Sequence, residues 1–385
     1  MQAPFKRALR RLTVAALLVT GGCFLTPTPA RAADPVTPNA SPEAKALLNY
    51  LYAMKGKKVL SGQMYAPWGN DEIKITHDIT GKYPALRGGD YITESANKRE
   101  NQLLLDWWKA GGIPTMMWHW GAPSKGEGYE QSKLEIDIDK CFVPGTPEHT
   151  AMWADLKRIA DHLTVLRDAK VPIIWRPMHE NDGNWFWYGK QGGEKFNRVW
   201  RTMFDYFVHE RKLNNLIWVL GHTGDPKADW NPGRQYYDIA GGDTYARNSN
   251  PQTALYKKVT AIHGDSMPIA FHEVGILPEP EAMFKEGANW SWWMLWHTSH
   301  LNNHNKEDLK RIYNHELVIT RDELPNIMNY VDSESGIVKT AAVAAMKPAP
   351  AKAAPAKPVA PKAAPAKAAA PMTFYRREAW ATANR

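Results

Sequence analysis

The chain predicts an α/β fold, a single (β/α)8 TIM barrel carrying one catalytic domain and followed by a disordered C-terminal tail. Three observations predict it. Eight short apolar runs recur between residues 58 and 296. Most are separated by stretches with helical apolar spacing, the alternation of a parallel barrel. Histidines, carboxylates and tryptophans gather where the runs stop, as they would if one rim of a barrel carried the chemistry. Once two compositionally odd ends are set aside, the remaining length suits one barrel of roughly 250 residues with insertions.

The elements follow in order. Residues 34–43 read as a Pro-containing linker, and 44–338 as the folded domain. Ala44 to Met54 has helical apolar spacing. Lys58 to Gln63 and Pro84 to Asp90 read as the first two strands. Glu100 to Gly111 reads as a helix closed by Gly111-Gly112. Pro114 to Trp120 is a third strand. Residues 121–147, rich in Gly and Pro, form a long connection, and long connections in compact domains tend to be functional. Thr150 to Ala169 is a periodic helix and Val171 to His179 the fourth strand. Glu194 to Lys212 is a helix, and Leu216 to Leu220 a fifth strand that stops at Gly221-His222. Tyr237 to Tyr245 contains a Gly-interrupted sixth strand. Gln252 to His263 is helical, and Met267 to Phe271 is a seventh strand ending at His272-Glu273. Ala282 to Glu286 is a short helix, Ser291 to Trp296 the eighth strand, and Lys306 to His315 a final helix. The faintest patterns are the sixth strand and the helices between strands one and two and between five and six.

The two ends belong to other classes. Residues 1–33 read as an export signal. Lys6, Arg7, Arg10 and Arg11 precede a short apolar stretch from Thr13 to Gly22, and Ala30-Arg31-Ala32 offers a cleavage site near Ala32 or Ala33. That stretch is too short to remain as a membrane span. A secreted or periplasmic bacterial protein is expected. Arg10-Arg11 is a weak twin-arginine signal, and Thr20-Gly21-Gly22 matches a lipidation signal at Cys23 poorly. After cleavage Cys141 is the one cysteine left, so no internal disulfide is expected. Residues 339–371 carry Lys347, Lys352, Lys357, Lys362 and Lys367 at a five-residue interval in Ala/Pro filler. Proline at this density favours an extended, solvated linker; an electrostatic tether to an anionic envelope surface is the sharper alternative. Residues 372–385 form a short tail with no assignable role. The formal charge of +8 comes from these ends: residues 1–33 carry five positive charges and 339–385 a net eight, which leaves −5 on 34–338. A mildly acidic folded part excludes a nucleic-acid surface and suits a neutral polymer.

The chemistry concentrates in Trp175-Arg-Pro-Met-His-Glu-Asn-Asp-Gly-Asn-Trp-Phe-Trp-Tyr-Gly189. A buried strand here opens into a loop with a carboxylate, Glu180, followed by Trp185, Trp187 and Tyr188. Sugar rings pack on aromatic faces, and a glutamate is a common acid for splitting a glycosidic bond. With 17 tryptophans and 15 tyrosines, the chain has more rings than a core requires. Across the strand exits the same rim collects Trp118, His119 and Trp120; Arg176 and His179; His222; Asp243 and Tyr245; His272 and Glu273; and Trp296 and His297. Glu180 and Glu273 leave strands four and seven, on opposite sides of a barrel mouth. Glycoside hydrolysis needs two such carboxyl groups. His297, His300 and His304 have metal-like spacing, but Leu301 to Asn305 looks like loop, so neither a metal nor a cofactor is expected.

These motifs resemble glycoside hydrolase family 26, best known for β-mannanases, over roughly residues 45–325. The resemblance implies Glu180 as acid/base and Glu273, within Ile269-Ala-Phe-His-Glu-Val-Gly275, as nucleophile of a retaining double displacement. It also implies that Tyr245 hydrogen-bonds the nucleophile. Trp185 would wall the leaving-group side, Trp296 floor a sugar subsite, and His119 and His179 lie beside it. Trp118 and Arg176 complete the expected substrate-binding set. His272 departs from the family pattern, where that position is often small or polar. The implied activity is an exported endo-β-1,4-mannanase, monomeric, acting on a β-linked polysaccharide. Alternatives are a β-1,3-xylanase or mixed-linkage β-glucanase of the same family and an envelope-tethered enzyme trimming an exported polysaccharide. A catalytically silent glycan-binding protein is the remaining one.

Overall fold

The computed structural model describes residues 34–66 and 71–330. The export signal, the Lys/Ala/Pro segment and the final tail lie outside the described residues. Eight barrel strands run parallel: β1 in two segments (Val59–Leu60 and Gly62–Met64), β2 (Leu86–Asp90), β3 (Ile113–Trp118), β4 (Ile173–Pro177), β5 (Leu216–His222), β6 (Ile239–Thr244), β7 (Ile269–Val274) and β8 (Trp290–Leu295). Each pairs with its successor, and β8 closes the ring on β1 through Leu60↔Trp292 and Gln63↔Leu295. A short β9 (Val318–Ile319) adds outside, parallel to the first segment of β1.

Helices α1 (Pro42–Met54), α2 (Glu72–Thr80), α3 (Glu94–Lys109), α4 (Tyr129–Ser132), α5 (Pro147–Asp168), α6 (Gly193–Asp205), α7 (Thr253–His263), α8 (Pro280–Lys285), α9 (Ser299–Asn302) and α10 (Lys306–Tyr313) surround or cap it. The helix between β1 and β2, faint in sequence, is present as α2. It is capped by the Asp71 side chain at its start and by Gly81 in the left-handed region at its end. Between β5 and β6 there is only a 3-10 turn, Arg234–Tyr236. The connection 121–147 is not a bare loop. It contains α4 and a 3-10 turn at Ile138–Phe142, and it buries Ile136, Ile138 and Cys141 in the outer core.

Strand alternation sorts the core into two layers. Leu60, Met64, Leu86, Ile113, Met117, Ile174, Ile217, Ile239, Trp292 and Met294 fill the barrel, and Leu47, Leu48 and Leu51 of α1 pack into the same cluster. Met116, Trp118, Trp175, Trp218, Phe271 and Trp293 face the helices. Residues 34–43, expected as a linker, are docked instead. Val36 N–H donates to Asp238 at 2.7 Å, Thr37 to the Leu216 carbonyl, and Ser41 N–H to the Asn214 carbonyl. They run beneath the N-terminal ends of β5 and β6 and deliver α1 to the barrel floor.

One irregularity decides where a carboxylate points. Between β6 and β7, Gly242 pairs with Phe271 but Asp243 pairs with Glu273. The strand therefore holds one extra residue, His272. Ala270 faces the interior and Phe271 the helices. Strict alternation would turn His272 inward and Glu273 outward. The bulge brings both into the barrel mouth, the re-aiming that bulges perform. Glycines make room for the imidazole: a Cβ on Gly241 would lie 2.7 Å from His272 Nε2 and 2.1 Å from the Ala270 carbonyl oxygen. Gly241→Ala is therefore expected to lose about 1–3 kcal/mol of stability, as overpacked cores do, measured by urea unfolding. An unchanged midpoint would mean that His272 is not wedged there.

Candidate active site

Strand β4 ends in a contorted exit. Met178 and Glu180 both adopt positive φ, 49° and 48°, a conformation disfavoured for residues with a Cβ and kept where surrounding contacts enforce it. Those contacts are present. Asn181 N–H donates to the Gly221 carbonyl at 3.2 Å, and the Tyr188 hydroxyl to the His179 carbonyl at 2.9 Å. Trp187 donates its indole N–H to the Trp120 carbonyl at 2.9 Å. Trp187 and Tyr188 are fully buried; they are scaffold for the loop. Trp185 remains partly exposed and donates its indole N–H to Glu180 Oε2 at 2.8 Å. Its ring lies so flat on the backbone that a Cβ at Gly183 would sit 2.3 Å from it, so only glycine fits there.

Glu273 faces Glu180 from β7. Its Oε2 accepts from the Tyr245 hydroxyl at 2.5 Å, and its Oε1 from the Arg176 guanidinium at 2.5 Å. Arg176 also donates to Asp243 at 3.2 Å, and Asp243 shares a second hydrogen bond, 3.2 Å, with the His272 ring Nδ1. One carboxylate oxygen from each of Glu180, Asp243 and Glu273 lies within 4.8 Å of the others. Three acids thus share one guanidinium, and the counter-charge comes from Arg176.

The consequences for protonation follow from burial and like charge. Glu180 is pushed up to about 8, first by burial and then by the charge of Glu273; the Trp185 N–H and Arg176 pull the other way without cancelling this. Burial and Glu273 also push Asp243 up, and burial and Glu273 raise the Tyr245 phenol, so it stays a donor. His179 is driven well down by burial and by neighbouring His119 and Arg176. It is neutral, with its Nε2 3.7 Å from Glu273. His119 is fixed by Asp90 at the exit of β2, which accepts from its ring Nδ1 at 2.5 Å and from its backbone N–H at 3.1 Å.

The structure brings together most of the residues singled out in sequence: Glu180, Glu273, Tyr245, His119, His179, Trp185 and Trp296, whose ring stands 6.4 Å from that of His119. Two expectations are corrected. Trp118 turns away from the mouth, because alternation places it in the outer layer, stacked on Trp120 at 4.2 Å. Arg176 is buried below the rim with its donors engaged by Asp243, Glu273 and Met117. It acts through Glu273 rather than as a group that touches substrate. Sequence reasoning missed Asp90, Phe186 and Tyr129. Tyr129 comes from α4 of the long connection and reaches within 5.7 Å of the His119 ring; Phe186 packs on His179 at 4.9 Å. Asp90 could have been found as a carboxylate at a strand exit. Phe186 lies between the rings already singled out in the Trp175–Gly189 motif; nothing local marks Tyr129. His297, His300 and His304 do not converge. His304 accepts from Leu277 N–H and bonds the His300 carbonyl, while the His300 ring packs 4.8 Å from Tyr245.

The family model described as Glycosyl hydrolase family 26 matches residues 36–323. A mannan endo-1,4-beta-mannosidase of Thermothelomyces thermophilus is 32% identical over 307 residues, 74% of this chain. The chain spans 62% of that relative's length. A mannan endo-1,4-beta-mannosidase of Bacillus subtilis is 30% identical over 286 residues, covering 67% of this chain and 78% of the relative. Among solved structures, a beta-mannanase from a symbiotic protist of the termite Reticulitermes speratus, complexed with gluco-manno-oligosaccharide, superposes with a TM-score of 0.70. It is 33% identical, and the match covers 76% of this chain and 98% of that one.

The raised Glu180 carboxyl is measurable without substrate. Infrared difference spectra of the protein should show a protonated carboxyl band that titrates with a midpoint near pH 8 and disappears in Glu180→Gln. A midpoint at the ordinary glutamate value of about 4.3 would contradict the electrostatics described.

Proposed function

Because the chain belongs to glycosyl hydrolase family 26, we propose that it is a retaining endo-β-1,4-mannanase acting on mannan, glucomannan or galactomannan. The observation that carries the reading is the pair Glu180 and Glu273: two carboxylates with oxygens within 4.8 Å and opposite surroundings. Retaining glycosidases set these groups about 5–5.5 Å apart, and inverting enzymes need about 6.5–9.5 Å to admit a water. The names of the relatives favour mannan over the β-1,3-xylan and mixed-linkage glucan alternatives.

In the first step a Glu273 carboxylate oxygen attacks the anomeric carbon. Glu180 gives its proton to the departing glycosidic oxygen, the C–O bond breaks, and a glycosyl ester forms on Glu273. Glu180, now a carboxylate, removes a proton from water. The water oxygen attacks the same carbon from the side the leaving sugar vacated, the ester breaks, and the product keeps its β configuration. The residues divide this work. Arg176 and Tyr245 hold Glu273 as an anion aimed upward and withdraw as the ester forms. The ionised Glu273 keeps a proton on Glu180, and neutralising Glu273 in the ester lowers that affinity, which suits Glu180 to the base role that follows. Trp185 lies against Glu180 as a wall for the departing sugar, and Trp296, beside His119, as a floor for the sugar that is attacked.

Export belongs to the same proposal. A polymeric substrate meets the enzyme outside the cytoplasm, which supports residues 1–33 as a cleaved signal. The lysine-rich residues 339–371 are then a linker or an envelope tether for a monomeric catalytic domain.

The test separates acid from nucleophile. On a β-mannan, Glu180→Gln should lower turnover on the order of 10²–10⁴-fold, the contribution of general acid catalysis. Aryl β-mannosides with good leaving groups, which need no proton, should lose far less in their first step. Glu273→Ala should abolish turnover of both. Wild-type activity should fall above pH about 8 as Glu180 loses its proton. Equal losses for both substrate types in Glu180→Gln would contradict its role, and no reducing ends from any β-mannan would overturn the activity.

A further inference from the structure

Behind the Glu180 loop lies a second buried polar chain that the mechanism above does not use. Asp182, two residues after Glu180, accepts from His222 Nδ1 at 2.8 Å. His222 Nε2 meets His263 Nε2 at 2.8 Å, and His263 Nδ1 meets the Tyr237 hydroxyl at 2.9 Å. The four residues come from four places: the β4 exit loop, the end of β5, the end of α7 and the approach to β6. None is more than 8% exposed.

Asp182 sets the direction at one end of this chain. Asp182 also accepts the backbone N–H groups of Thr223 and Lys227, each at 2.9 Å. Against its burial, the His222 hydrogen bond and these donors hold its pKa below the ordinary value. It is an anion, so His222 Nδ1 donates. Two imidazole Nε2 atoms in contact cannot both donate. His263, held down to about 3 by burial and then by His222, is neutral. In the arrangement that aligns the whole chain, His263 Nε2–H donates to His222 and the Tyr237 hydroxyl donates to His263 Nδ1. Every hydrogen in the chain then points toward Asp182, and such aligned bonds polarise one another. The charged groups packed around it are few. Lys227 donates Nζ to the Asp182 carbonyl at 2.8 Å, Asp225 is paired with Lys258, and Arg234 lies over the Tyr237 ring.

We infer that Asp182, His222, His263 and Tyr237 form a positioning relay that anchors the β4 exit loop and keeps a permanent negative charge beside the Glu180 carboxyl. Met178, Glu180 and Asn184 of this loop have positive φ and need such anchoring, and the Asp182 charge is one of the influences that favour a proton on Glu180. The inference rests on Glu180 as acid/base. None of the four residues touches substrate in it; they act through Glu180.

The test uses the full chain on a β-mannan with two variants. Asp182→Asn keeps the size and an acceptor oxygen for His222 but removes the charge. The alkaline limb of kcat/KM, which reports the free enzyme's acid, is expected to move about half a pH unit or more to lower pH. The value of kcat should fall about fivefold or more, with KM within about twofold of wild type. Tyr237→Phe leaves Asp182 charged, so its alkaline limb is expected to stay in place. An unmoved limb in Asp182→Asn, or a limb that moves equally in both variants, would overturn the relay. A second readout does not depend on activity or on the variants folding. In wild-type protein, nitrogen-15 NMR of the ring nitrogens should show His222 bare at Nε2 and His263 protonated there. The reverse assignment contradicts the relay. A wild type inactive on mannan would sink the proposed activity and leave this NMR result to decide the relay alone.

Discussion

The Arg176 guanidinium is the fixed point of the site. It lies buried inside the barrel, donates to both Glu273 and Asp243, and supplies the positive charge for three carboxyl groups gathered within 4.8 Å. Arginine suits the position because its planar fork reaches two acceptors and it does not lose its proton on burial. Removing one partner of such a pair would leave a charge stranded in a low-dielectric interior. One guanidinium cannot neutralise three carboxylates, so the cluster holds a proton. Glu180, whose hydrogen bond comes from Trp185 and not from the arginine, is pushed up to about 8, and buried Asp243 is raised as well. The division of labour between the two glutamates is thus a matter of which one the arginine touches.

The barrel makes that arrangement possible by several local departures from regular strand geometry. The extra residue His272 in β7 turns Glu273 into the mouth. Gly241 gives the imidazole space, and the imidazole in turn orients Asp243, so the oxygen that meets Arg176 is set from below. On β4, Met178 and Glu180 leave the strand with positive φ, which lifts Glu180 over Glu273. These departures are local costs in a fold whose strands otherwise sort side chains into an inner and an outer core.

Much of this was legible in the chain itself. Apolar runs ending in polar residues gave the eight strands, because a barrel strand buried on both sides must be apolar until it reaches the rim. Glu180 and Glu273 stood out for the same reason. The less legible features depend on which way a side chain faces. Trp118 sits at a strand exit like His119, yet alternation sends it outward and His119 inward. Arg176 looked like a rim group because its partners, Asp243 and Glu273, are separated from it by 67 and 97 residues. The bulge at His272 leaves no mark in composition. Residues 34–43 have the prolines of a linker, and only their hydrogen bonds to Asp238, Leu216 and Asn214 reveal them as part of the barrel floor.

Retention requires that Glu273 be the nucleophile that bonds to the sugar. The direct measurement is to incubate the protein with a 2-deoxy-2-fluoro-β-mannosyl or mannobiosyl fluoride, which forms the glycosyl ester quickly and releases it slowly, and to map the adduct by mass spectrometry of proteolytic peptides. A single sugar attached to the peptide bearing Glu273 is predicted. An adduct on Glu180 or Asp243, or complete turnover with inversion and no adduct, would contradict it.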